Sequence, residues 1–217
     1  MLNKIIRFAS EEFTPFAPYW DYMIAEGQTY INFAPIIKEI LDKEKEIINR
    51  YEYEDDWGTK LGPNSLTSRS NRYNLLEFES TSPVKDTIRT MHDEFLTEMQ
   101  IPMAPGPLYV QCWANVMRKK QKIATHCHGF GPWGYLSGHL CVQVKDTSTY
   151  YHKLHGDETW ASPNKDGKIT LFPSWVRHYT DSVKDDQERI TIAFDIMTEE
   201  GYLKTVKDDM KSHWVPV

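Results

Sequence analysis

The chain of 217 residues holds only three cysteines, Cys112, Cys127 and Cys141. Their odd number and the lack of a paired metal-knuckle spacing argue against a disulfide framework and fit free thiols in a reducing compartment. No apolar run approaches the ~20 residues that a membrane-spanning helix needs. The opening stretch from Met1 to Phe8 has only a short apolar run, and Glu11 and Glu12 follow at once, which does not fit a secretory leader. Positive charge is also short, since 25 Lys and Arg stand against 31 Asp and Glu, a net charge of −6. Nucleic acid is therefore an unlikely partner, because a general binder needs a basic face to displace phosphate counterions. The one basic run, Arg118-Lys119-Lys120-Gln121-Lys122, reads as a solvated turn between strands. No internal repeat is visible. A single-domain cytoplasmic protein is expected.

What is present is apolar and aromatic: 40% hydrophobic residues and 13% aromatics, with seven Trp. This suits a β-rich interior with a lined pocket. Residues 1–30, with Pro15 and Pro18, read as irregular. Pro35 to Arg50 reads as a helix, with Ile36, Ile37, Ile40, Leu41, Ile47 and Ile48 near a 3.6-residue period and the charged run Asp42 to Glu46 outside. Residues 51–70 read as a loop long enough to serve as a lid. Tyr73 to Phe78 could be a strand. A second helix follows, capped by Ser82 with Pro83 in its first turn. From Leu108 the period changes to two: Tyr109–Met117, a strand into His126, Tyr135–Val144, Thr149–Leu154, Lys168–Phe172 and Ile190–Ile196. Short strands with turns between them indicate a sandwich or closed barrel. Gly201 to Lys211 reads as a short tail helix.

His126 and His128 are two apart, so on an extended segment both point to one face and Cys127 to the other. His178 follows about fifty residues later, after a strand ending Leu171-Phe172-Pro173-Ser174-Trp175, a separation natural for strands that meet across a barrel. Imidazole suits Fe, Zn, Ni and Cu. Along the last long strand Ile190, Ile192, Phe194 and Ile196 form an apolar face, while Arg189, Thr191, Ala193 and Asp195 form the other. An inward Arg-x-Thr is an anion cradle, because guanidinium grips a carboxylate through two parallel hydrogen bonds; a salt bridge from Arg189 to Glu188 or Asp185 is the plainer alternative. His139 shares a strand face with Ser137, Cys141 and Gln143 and either lines the pocket or sits satisfied in the core. Trp113, Asn115, Trp133 and Tyr135 read as core before substrate contacts, and His152 and His155 as surface.

The set His126-Cys127-His128, Leu136-Ser137-Gly138, Leu171 to His178 and Glu188-Arg189-Ile190-Thr191-Ile192-Ala193-Phe194 resembles the 2-oxoglutarate and Fe(II)-dependent oxygenases. The similar branch is the one common in bacteria and phages. The resemblance covers roughly Gln111 to Ile196. It implies an α+β fold: a double-stranded β-helix (jelly roll, cupin-like) core with N-terminal helices packed outside. Residues 1–107 would be a helical and loop extension and residues 108–217 the core with a short C-terminal helix, together one structural domain. It implies Fe(II) as cofactor and 2-oxoglutarate as cosubstrate, whose decarboxylation to succinate is coupled to substrate oxidation, hydroxylation being the expected outcome. His126 and His178 would be metal ligands, Arg189 the 2-oxoglutarate anchor with Thr191 beside it, and Ser137 and His139 further cofactor-binding residues. The wider superfamily has a carboxylate where His128 stands. Three arrangements follow: His128 is a third imidazole ligand, it stands behind a water ligand, or a distant carboxylate, Asp157 or Asp195, completes the site. We take His128 as a ligand.

A cupin-like metal holder without turnover and a three-histidine dioxygenase needing no cosubstrate are the rival readings, and an inward Arg189 speaks against the non-catalytic barrel. A protein-interaction jelly roll would leave the histidines without metal. The substrate would be a small molecule or a peptide.

Overall fold

The computed structural model describes residues 1–53, 55–153 and 158–217. In chain order the strands and helices are β1 (Leu2–Ala9), β2 (Asp21–Gln28), α1 (Ala34–Arg50), α2 (Ser82–Glu98), β3 (Leu108–Met117), β4 (Leu136–Gln143), β5 (Ser148–His152), β6 (Thr159–Pro163), β7 (Lys168–Pro173), β8 (His178–Thr180), β9 (Arg189–Thr198), α3 (Glu199–Thr205) and β10 (Val215–Pro216). The large sheet runs β1-β2-β7-β4-β9-β3-β10 and a small one β6-β5-β8. Both line one cavity, between Trp113, His139, Phe172 and Ala193 of the large sheet and Thr149, His178 and Thr180 of the small one. This is the jelly-roll arrangement, with helices beside it in an α+β chain.

Alternation along three adjacent strands makes the cavity floor. On β9 Ile190, Ile192, Phe194 and Ile196 are buried in the main core with Val110, Cys112, Ala114 and Val116 of β3. The intervening residues face the other way. Asp195 is opposite Gln111 on β3 and Ser137 on β4; Ala193 is opposite Trp113 and His139; Thr191 is opposite Asn115 and Cys141. The floor is thus a grid of rungs, with Ala193 leaving room at its centre. α1 and α2 belong to the core on the apolar face, through Ile36, Ile40 and Ile47 and through Ile88, Met91 and Phe95.

The structure corrects several sequence readings. Residues 1–30 are not irregular: β1 and β2 form an antiparallel hairpin, and β2 pairs with β7 from Ala25↔Leu171 to Gln28↔Lys168. No alternation announced β1, because it is exposed or half-buried along its whole length. Tyr73 to Phe78 holds a tight helical turn, Leu75–Glu77, started by the Asn74 side chain accepting from Leu76 N–H. No strand leads into His126, which makes only an isolated antiparallel bridge to His178. Strands β6 and β8 were not anticipated. Thr81, not Ser82, is the N-cap of α2, and the tail helix is the short α3 followed by a separate turn at Asp208–His213. In α1 Glu44 is buried, not on the charged outer face; its carboxylate takes both Arg118 amines, at 3.0 and 2.6 Å. His155, Asp157 and the last residue of the expected Thr149–Leu154 strand lie outside the described residues. Among the described residues no helix is long and apolar enough to cross a membrane.

Candidate metal centre

His126, His128 and His178 converge: their potential ligand nitrogens all lie within 4.8 Å of one another. The ring centroids are 5.3 Å (His126–His128), 4.4 Å (His126–His178) and 5.2 Å (His128–His178) apart. Main-chain bonds fix this spacing. His126 N–H donates to His178 O at 3.1 Å, His178 N–H to His126 O at 2.9 Å, and His128 N–H to Ser174 O at 2.9 Å. Ser174, just past the end of β7, thus tethers one histidine while β8 presents another.

The ring nitrogens are ordered as a metal would need. His126 Nδ1 is 3.0 Å from Ala124 O and His178 Nδ1 is 3.0 Å from Val176 O. A carbonyl oxygen can only accept, so each Nδ1 carries the hydrogen and each Nε2 keeps its lone pair. His128 Nδ1 is 2.6 Å from Asp195 Oδ1, which also accepts from Ser137 Oγ at 2.6 Å. That is the carboxylate–histidine arrangement that orients and enriches a metal-binding imidazole. Burial, then the neighbouring imidazoles, hold His178 well below its usual pKa, and burial followed by His128 pushes His126 down to about 4. Both are neutral at pH 7, as ligands must be. The donor set fits a divalent iron, with its anionic charge one bond removed, on Asp195.

Across the same cavity lies Arg189, 3% exposed. Its guanidinium donates only at long range, Nε to Thr147 Oγ1 at 3.3 Å and Nη1 to Thr191 Oγ1 at 3.4 Å. Among the described residues no carboxylate forms an ion pair with it, and Asp185 is paired instead with Lys145 at 2.6 Å. A buried guanidinium with so little compensation suits an anion. His139 is also buried, and its Nε2 has no hydrogen-bond partner. Burial, then the charge of Arg189, pushes its pKa down to about 3. A bound polar group would satisfy both. The cavity has a volume of about 410 Å³.

Of the residues singled out in the sequence, His126, His128, His139, His178, Arg189 and Thr191 line this cavity together. Ser137 does not, because its hydroxyl is engaged by Asp195. Asp195 stands behind His128. Sequence reasoning missed Gln111, Asn71, Thr147 and Trp57. The period-two pattern of β3 puts Gln111 on the same face as Trp113 and Asn115, which was the available signal; the loop residues gave none. The long loop after α1 does roof the site, with Trp57, Thr59 and Thr67 among the lining.

Residues 142–195 match the family model described as "Putative 2OG-Fe(II) oxygenase". No curated protein matches the chain. Among solved structures it is similar to a prolyl-4-hydroxylase from Pseudomonas putida, with 9% identity, 81% of this chain and 92% of that one covered and a TM-score of 0.54. It is also similar to the epimerase SnoN from nogalamycin biosynthesis, with 13% identity, coverages of 81% and 78% and a TM-score of 0.51. A third is a prolyl hydroxylase from Trichoplax adhaerens, solved with a peptide fragment, with 9% identity, coverages of 85% and 87% and a TM-score of 0.50. The structural likenesses carry the fold, and the stretch from residue 142 to residue 195 is similar to the 2OG-Fe(II) oxygenases.

Proposed function

We propose that the protein is a hydroxylase that uses Fe(II) and 2-oxoglutarate, with His126, His128 and His178 holding the iron and Arg189 the far carboxylate of 2-oxoglutarate. The observation that carries this is the shared cavity: three oriented imidazoles at one place and a buried, uncompensated guanidinium at another. Iron with 2-oxoglutarate and oxygen would supply the oxidation, the cosubstrate leaving as succinate and CO2 while one oxygen atom goes to the substrate. The chain's part is positioning. Asp195 keeps the Nδ1 hydrogen on His128 and lends it negative charge. Arg189, steadied by Thr147 and Thr191, fixes the anion, and His139 offers a further polar contact along it. Trp57, Thr59 and Thr67, from the loop after α1, border the same cavity. The substrate is a small molecule or a peptide residue, and three free thiols suit a cytoplasmic setting.

The test is calorimetry with Mn(II) in place of Fe(II). Wild type should bind 2-oxoglutarate only with the metal present. Arg189→Lys should bind more weakly, since it keeps the charge and loses the fork, and Arg189→Ala should lose ~2–5 kcal/mol. Metal uptake with equal 2-oxoglutarate binding by wild type and Arg189→Ala would favour a three-histidine dioxygenase without cosubstrate.

A further inference from the structure

The cavity holds a third polar feature that neither the metal nor the anion uses. Gln111 lies on β3 directly opposite Asp195 of β9, level with the carboxylate that backs His128. Its Nε2 donates to Ser70 O and to Asn71 Oδ1, both at 2.9 Å. The Ser70 carbonyl can only accept, so the nitrogen of Gln111 must stand there, and its second hydrogen fixes the oxygen of Asn71. What remains is an ordered edge: Gln111 Oε1, an acceptor, and Asn71 Nδ2, a donor. Neither has a protein partner among the described residues, and both residues line the cavity. Gln111 is only 7% exposed and Asn71 is half-buried.

The surroundings narrow the chemistry. Trp113 is two residues along the same face of β3, and Trp214 is brought alongside by the pairing of β10 with β3 at Val215↔Val110; both line the cavity. Flat apolar walls suit a flat, apolar-faced group. Among the described lining residues only Arg189 and Asp195 carry full charge; Asp195 is engaged by His128 and Ser137, and Arg189 is the residue assigned to the cosubstrate carboxylate. A charged substrate group would find no counter-ion here and would be desolvated without compensation.

We infer that this edge is the substrate subsite, and that it takes a neutral, flat group bearing a neighbouring N–H and C=O, that is, a lactam or an amide held cis. The N–H meets Gln111 Oε1 and the C=O meets Asn71 Nδ2. As the place where a substrate is held for oxidation, and in its exclusion of an anionic group, it rests on the oxygenase reading; as a hydrogen-bonding site, it does not.

The test uses 2-quinolone, a planar lactam, and N-methyl-2-quinolone, which lacks the N–H. Both are titrated by ligand-observed NMR into the full chain, with and without Mn(II) and 2-oxoglutarate. Saturable binding of 2-quinolone is expected, with the N-methyl compound at least about tenfold weaker, because a site built around a hydrogen-bond partner rejects the analogue without it. Asn71→Asp puts a second acceptor in place of the donor and should weaken 2-quinolone at least about tenfold. No saturable binding of 2-quinolone, equal binding of the two quinolones, or an unaltered affinity in folded Asn71→Asp overturns the inference. The wild-type comparison stands whether or not that variant folds. Calorimetry of Mn(II) and 2-oxoglutarate on the same samples separates the two readings. Lactam binding without cosubstrate binding overturns the oxygenase assignment alone, and the reverse overturns the subsite alone.

Discussion

Replacing Asp195 with asparagine would measure what an anion behind the proposed ligand His128 is worth. Asp195 Oδ1 receives two donors at 2.6 Å, His128 Nδ1 and Ser137 Oγ. Asparagine keeps the shape and one acceptor oxygen but removes the charge. A hydrogen bond to a charged group contributes about 1.5–3 kcal/mol, roughly twice a neutral one, so about 0.8–1.5 kcal/mol of the hold on the imidazole is lost. Changing such outer partners typically lowers metal affinity about 10–100-fold. With its side chain 23% exposed, Asp195 is partly screened by water, which places the expected loss in the lower half of that range. Calorimetric titration of Mn(II), or of Fe(II) without oxygen, gives the number directly. Ser137→Ala, which removes one donor from the same oxygen, should cost only a few-fold by the same reasoning. A loss beyond about a thousandfold in Asp195→Asn would make Asp195 itself a ligand, and an unchanged affinity would remove His128 from the set.

Three further outcomes are expected. His128→Asp alone sets a second carboxylate against Asp195, so metal affinity should fall; adding Asp195→Asn leaves two histidines and one carboxylate, and affinity should return to the wild-type level or above, a recovery whose absence in parallel titrations refutes the assignment. Metal-free protein should lose stability as pH falls from the unfolded-state value of ~6.5 toward the folded value of about 3 for His139, because the unfolded chain binds the proton more tightly; at pH 5 this one group costs about 2 kcal/mol, and a urea series in which His139→Leu shows the same wild-type acid slope would contradict it. A methyl group at Gly138 would sit 2.5 Å from Phe194 Cζ and 2.5 Å from Thr170 O, so Gly138→Ala should destabilise by about 1–3 kcal/mol and lower Tm by several degrees in calorimetry. An unchanged Tm would show that the strand yields there.

The parts that could be read in the sequence are those whose information is local. The alternation of Arg189 to Ile196 separated core from cavity before any coordinates, and His126-x-His128 announced a shared face. The helix from Pro35 followed from its isoleucine stripe. What could not be read depends on partners far apart in the chain. β2 is a strand because β7 is beside it, and its own residues, with Asp21, Glu26, Gly27 and Gln28, have little preference for extension. Asp195 was one of two candidate carboxylates until the fold set it against His128, 67 residues away. Asn71 and Gln111 meet only because a loop between the helices lies over β3. The same holds for Glu44, which looked solvated until Arg118 arrived opposite it.

With His126, His128 and His178 as the proposed metal ligands, the paired main-chain bonds between His126 and His178 bear on which ion such a site would hold. Two of the three imidazoles are spaced by backbone, and the third is tethered at Ser174, so the ordering cost of ~1–2 kcal/mol per residue is met when the chain folds and not when an ion arrives. The receptacle exists before its contents. Such a site has little means of refusing the wrong guest, because nitrogen donors bind copper, nickel and zinc more strongly than ferrous iron as a matter of ligand chemistry. Occupancy is then decided by supply, by which divalent ion is free in the surroundings at the time of loading. Protein isolated aerobically from a zinc-rich or nickel-rich medium would carry that metal in a correctly folded site, and exchange against chelator under reducing conditions would be the route back to iron.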